Sequence, residues 1–124
     1  MKVLALDFGS ARTGIAVSDP TGTVARPAGT VERAASDAGF KRLVAVIDSE
    51  QPELVVVGMP LTLRGEHGEQ ARETAGFIER LRAAIDIPVE TYDERITSDL
   101  ADGDDARAAA HLLSSYLEWQ STER

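Results

Sequence analysis

The sequence predicts an α/β protein: one mixed five-stranded sheet flanked by helices, in the order β-β-β-α-β-α-β-α, forming a single domain over residues 1–124. Two features of the pattern carry this. Residues 2–18 hold two short apolar runs joined by a glycine-containing turn, which reads as a hairpin. From residue 36 onward, segments of helical period alternate with short apolar runs, the signature of parallel strands joined by crossover helices. At 124 residues the chain can build one core and is too short for two.

Each element has its own justification. Residues 2–7 form a buried strand, an apolar run between Lys2 and Asp7. Gly9–Arg12 make a tight turn into a second strand, 13–18, which must pair antiparallel with the first. Residues 22–32 lean towards strand, but Pro27 and Gly29 interrupt them, so an edge position suits them. Over 36–51, Phe40, Leu43, Val44 and Ile47 recur at helical spacing, with Ser36 or Asp37 as cap. The run ELVVVG, 53–58, is a central parallel strand closed by Gly58, and 59–68 is a loop. Residues 69–85 form an amphipathic helix with Ala71, Ala75, Ile78, Leu81 and Ile85 on one face. Pro88 opens a strand that ends at Asp93. A last helix from about 104 to 119 turns Ala108, Ala109, Leu112, Leu113 and Tyr116 inward, with Trp119 expected to pack.

Composition narrows the function. There is no cysteine, which excludes disulfides and thiolate chemistry and suits a reducing cytosol. The apolar run after Lys2 is too short for a signal peptide, and no stretch is long enough to cross a membrane. A net charge of −8 argues against a non-specific grip on a polyanion. The cations are nearly all Arg, whose forks bind phosphate bidentately. Acids gathered at a metal would also raise the negative count without repelling substrate once the metal is bound.

The acids fall at element ends. Asp7 follows the first strand, Asp93 and Glu94 follow the last, and Asp104 and Asp105 begin the last helix. In an open α/β sheet, sites form beyond the carboxyl ends of parallel strands, where Asp7 and Asp93–Glu94 should converge. Converging carboxylates repel unless a cation lies between them, and hard oxygen donors suit Mg²⁺ or Mn²⁺. The alternatives are plain: Asp7 as a turn former, Asp104 or Asp105 as an N-cap, Asp93–Glu94–Arg95 as a solvated triplet. His67 and His111 have no partner at metal spacing, and Ser10 and Ser18 have no nucleophile's triad around them. Asp7 with Gly9 and Gly14 also resembles the first phosphate loop of the actin, hexokinase and heat-shock ATPases. Those enzymes close two such domains around nucleotide.

Three blocks together carry a more specific resemblance: ALDFGSARTGIAVSD at 5–19, VVVGMPLTLRGEHGEQARETAGFIERL at 55–81, and YDERITS at 92–98 followed by DARAAAHLLSSYLE at 105–118. In that order they resemble the YqgF family, also called RuvX, of Holliday-junction-resolvase-like proteins in the RNase H-like superfamily, described as pre-16S rRNA nucleases. The resemblance implies an RNase H-like fold, Mg²⁺- or Mn²⁺-dependent phosphodiester cleavage of pre-rRNA or branched DNA, and a cytoplasmic location. It implies Asp7, Glu94 and Asp105 as catalytic acids, with Asp93 beside them as a metal ligand. Asp105 is preferred to Asp104 because it stands three residues before Ala108–Ala109. Arg12 and Arg95 become candidates for phosphate contact, assisted by Thr97 or Ser98.

One segment departs from the family pattern. Members usually carry a longer, basic stretch before the last helix; here ITSDLADGD, 96–104, has no Lys or Arg and three acids. That bears on junction binding more than on the metal site, and it motivates a second reading as a nucleic-acid-binding scaffold without turnover. Resolving a symmetric junction would call for a homodimer with two sites.

Overall fold

The computed structural model describes residues 1–60, 68–94 and 105–123, and of residues 60, 93, 94, 105, 122 and 123 the backbone alone. The elements are β1 (Val3–Asp7), β2 (Arg12–Ser18), β3 (Ala25–Glu32), α1 (Asp37–Glu50), β4 (Leu54–Pro60), α2 (Glu69–Ala84), β5 (Val89–Glu94) and α3 (Asp105–Glu123). This is the expected order. The strands form one sheet, β3-β2-β1-β4-β5. β1 pairs antiparallel with β2 and parallel with β4, and β4 pairs parallel with β5. Among the described residues, no helix is long and apolar enough to cross a membrane.

Strand alternation divides the core in two. Leu4 and Leu6 of β1, with Val55 and Val57 of β4, face α1 and α2, where Phe40, Leu43, Ile47, Phe77, Ile78 and Leu81 cover them. Val3 and Ala5, with Leu54 and Val56, face the other way, against Ala109, Leu112, Leu113 and Tyr116 of α3. Both faces of β1 and β4 are thus buried, which is why their sequences run continuously apolar instead of alternating.

Local chemistry ends each element. Ser36 caps α1, its Oγ accepting from the Gly39 N–H at 3.0 Å, and Gln51 closes it in the left-handed region at φ 50°. Gly39 sits against the preceding turn, where a Cβ would lie 1.9 Å from the Arg33 carbonyl oxygen. Pro27 and Gly29 do lie on an edge strand, and they mark a bulge: Ile15 pairs Gly29 while Ala16 pairs Pro27, leaving Ala28 unmatched.

Two sequence expectations shift. β4 does not stop at Gly58; its ladder continues through Met59 and Pro60 because β5 runs beside it to Glu94. On α2, Ala75 is exposed, and Thr74 takes the buried position. The Thr74 hydroxyl returns to the Gln70 carbonyl at 2.8 Å, so a polar residue satisfies itself within the core.

Candidate functional site

Asp7 is the last residue of β1 and is half-buried. Leu6 and Phe8, on either side, belong to the core under α1 and α2, and Phe8 stacks on Phe77 with ring centroids 4.3 Å apart. Clamping its neighbours on that side turns Asp7 towards the α3 face of the sheet. Across the hairpin Asp7 pairs with Gly14.

The register aligns the strand ends. Leu6 lies beside Val57 and Val57 beside Thr91, so the next row is Asp7, Gly58 and Tyr92. Two strand spacings put positions 7 and 92 roughly 10 Å apart. Asp93 and Glu94 continue from Tyr92 as the last residues of β5. By alternation, position 94 shares the α3 face with Glu90, Tyr92 and Asp7, whereas position 93 shares the opposite face with Val89. Gly58 stands in the middle of the row on the α3 face and carries no side chain there.

α3 returns towards this rim. Its late residues Leu117, Gln120 and Ser121 line a cavity with Met1 and Val3. The C-terminal turns therefore sit at the start of β1, and the helix runs back from the opposite end, with Asp105 as its first residue. Of the acids singled out in the sequence, Asp7 is the one whose side chain is described. No cluster of three His, Asp or Glu side chains suited to a metal occurs among the described residues.

Arg12 opens β2, exposed, opposite Glu32. Arg107 is exposed in the first turn of α3. His111 is half-buried on α3. Arg95, Thr97, Ser98, His67 and Asp104 lie outside the described residues. Gly9 has a role the sequence did not disclose: a Cβ there would fall 2.5 Å from the Arg12 carbonyl oxygen. The hairpin's own backbone needs that glycine, whatever approaches the turn from outside. The turn is further held by the Arg33 N–H, which donates to the Ala11 carbonyl at 2.9 Å.

Sequence reasoning also passed over Tyr92 and Gly58. The signal for Tyr92 was present: two residues before Glu94 on a strand is the same face. Tyr92 packs edge-on to Tyr116, centroids 5.7 Å apart, and the Tyr116 hydroxyl donates to Glu90 Oε1 at 2.9 Å. Trp119, expected to be packed, touches both tyrosines and is still 47% exposed.

Comparison with known proteins follows the same outline. The family described as "RuvX: Holliday junction resolvase" matches residues 1–104. A protein of Oleidesulfovibrio alaskensis is 41% identical over 139 aligned positions, spanning 100% of this chain and 96% of its own. One of Maridesulfovibrio salexigens is 38% identical over 132, spanning 94% and 98%. Both bear the name "Putative pre-16S rRNA nuclease". The longer alignment exceeds this chain's 124 residues, so that relative carries positions this chain lacks. Among solved structures, Thermus thermophilus RuvC superposes with a TM-score of 0.62 at 17% identity, covering 98% of this chain and 97% of that one. The sheet and its helices are those of the RNase H-like fold.

Proposed function

Since this chain belongs to the RuvX family, we propose that it is a metal-dependent nuclease that hydrolyses phosphodiester bonds in structured nucleic acid. The substrate we assign is the 5′ end of pre-16S rRNA, in keeping with the names of its relatives, with branched DNA as the second substrate to assay. The supporting observation is the row Asp7–Gly58–Tyr92, which brings the carboxyl ends of β1 and β5 to one rim with a glycine between them.

The donor chemistry fits a divalent cation. Asp7 offers a half-buried carboxylate, and Gly58, its neighbour in the row, is buried and has no side chain to take up the position beside it. Glu94 and Asp105 complete a hard, all-oxygen set suited to Mg²⁺ or Mn²⁺. Of the pair at the end of β5, Glu94 occupies the position on Asp7's face, which favours it over Asp93 as the nearer ligand. An ion held by these acids would lower the pKa of a water, supplying hydroxide as the nucleophile, and would offset charge on the departing oxygen.

The protein's own groups orient the substrate. Asp7 is held by the buried side chains on either side of it, so its carboxylate is set before substrate arrives. Arg12, at the mouth of the hairpin, offers a fork matched to non-bridging phosphate oxygens. Arg95 and Thr97 follow β5 directly and fall to the same task. We assign the activity to the cytoplasm, where ribosomal RNA is processed, and a homodimer to any resolution of a symmetric junction.

The test is cleavage of structured RNA and of branched DNA with Mn²⁺ by the wild type and by Asp7→Asn. Loss of cleavage with retained fold is expected. Equal cleavage by the two proteins would end the reading. RNA binding that ignores metal, with no cleavage of either substrate, would favour the scaffold role that the acidic 96–104 segment suggests.

A further inference from the structure

Trp119 is a large apolar side chain left half in water, 47% exposed, on the last third of α3. Its indole is not loose. It leans on Tyr92 with ring centroids 5.9 Å apart and planes at 45°, and on Tyr116 at 5.9 Å and 47°. Tyr116 is itself fully buried and tied to Glu90 through its hydroxyl. Two anchored rings therefore hold the indole at a fixed tilt while much of its surface stays open to solvent. That is a rigid aromatic surface, ready to stack at little entropic cost.

Its place matters as much as its exposure. Tyr92 is the end of the row that starts at Asp7, about 10 Å away across two strand spacings. Trp119 adds one ring beyond Tyr92, on the same α3 side of the sheet. Along α3, Trp119 stands fourteen residues after Asp105, about 21 Å of helix from it, so a strand whose phosphate sat at Asp7 would reach the indole a few nucleotides away and not at the adjoining one. Resting on the nuclease reading for the polymer involved, we propose that Trp119, braced by Tyr92, is a stacking platform for an unpaired nucleobase a few nucleotides from the cleaved bond.

The charge of the chain strengthens the argument. With 13 Lys and Arg against 21 Asp and Glu, phosphate neutralisation contributes little attraction. A base–aromatic stack does not depend on net charge, tolerates any base, and contributes about 1–3 kcal/mol per base. In an acidic protein it adds a hold on an unpaired strand that the net charge does not oppose. Binding through Trp119 should accordingly weaken only slightly as salt rises.

Trp119 is the only tryptophan in the chain, so its emission reports on its own surroundings. The experiment titrates a short single-stranded oligoadenylate, in EDTA to prevent cleavage, into the wild type, Trp119→Phe and Trp119→Ala. Binding is read in parallel by anisotropy of the labelled strand. Expected is saturable quenching of Trp119 by the oligoadenylate and none by a base-free strand of the same length. Trp119→Ala should bind about 5- to 150-fold more weakly, and Trp119→Phe close to the wild type.

Binding without quenching, quenching by the base-free strand, or no binding at all would overturn the proposal. So would an emission change that follows protein concentration alone, which would show a second copy covering the indole. Quenching in proteins that cleave neither substrate would remove the nuclease reading and leave the stack. Cleavage without quenching would do the reverse.

Discussion

Thr13 is a hydroxyl in the wrong place, and removing it should stabilise the protein. It lies on β2, is fully buried, and pairs across the sheet with Val31, on the face where Ile15 and Val17 join the core. Its Oγ1 has no hydrogen-bond partner among the described residues. A buried, unsatisfied hydroxyl costs about 1–3 kcal/mol in lost hydration. Thr13→Val keeps the shape, replaces the hydroxyl with a methyl, and suits a strand at least as well. The expected gain is about 1–2 kcal/mol. With an unfolding entropy of about 2.1 cal/mol/K per residue, 124 residues give about 0.26 kcal/mol/K, so Tm should rise by about 4–8 °C. Urea unfolding followed by far-UV circular dichroism should show a higher midpoint at unchanged slope. A loss of about 1 kcal/mol or more would refute the reasoning, because it would mean that the hydroxyl has a partner in solution.

Two glycines should respond in opposite directions. Gly39→Ala puts a Cβ 1.9 Å from one backbone carbonyl oxygen and 2.6 Å from another, and should cost about 3 kcal/mol in the same urea assay. Gly76→Ala, inside α2 with nothing within 4 Å of the new methyl, should gain about 0.5–1 kcal/mol. In the β2–β3 turn, the Thr21 hydroxyl and the N–H groups of Val24 and Thr23 donate to the Asp19 carboxylate and hold its pKa far below the ordinary value. A depressed folded pKa means stability that is present above the unfolded value and lost as pH falls towards the folded one. The stability gap between wild type and Asp19→Asn should therefore be widest near neutrality and shrink below about pH 4.

Much of this molecule was legible in its residues, and the exceptions have physical causes. The β1–β2 hairpin, the parallel β4 and the inward face of α3 follow from periodicity, because buried faces admit few residue types. Ala75 was misplaced because small apolar residues fit either side of a helix, whereas Thr74 hid its core position by bonding its own helix backbone. The extra reach of β4 to Pro60 depends on its neighbour β5, and pairing over that distance leaves no local mark. The bulge at Ala28 was visible only as the presence of Pro27 and Gly29. At the candidate site, the acids were readable as residue types at strand ends. What could not be read was the row that orders them: the register of three strands, with Gly58 between Asp7 and Tyr92, emerges from pairing and not from composition.

The direct test is crystallographic. A crystal soaked in Mn²⁺ and measured for anomalous scattering should show an ion about 2.1 Å from a carboxylate oxygen of Asp7, with oxygens of Glu94 and Asp105 completing its protein ligands. An Asp7 carboxylate with no ion beside it at saturating Mn²⁺, and the other two acids turned away from it, would contradict the account.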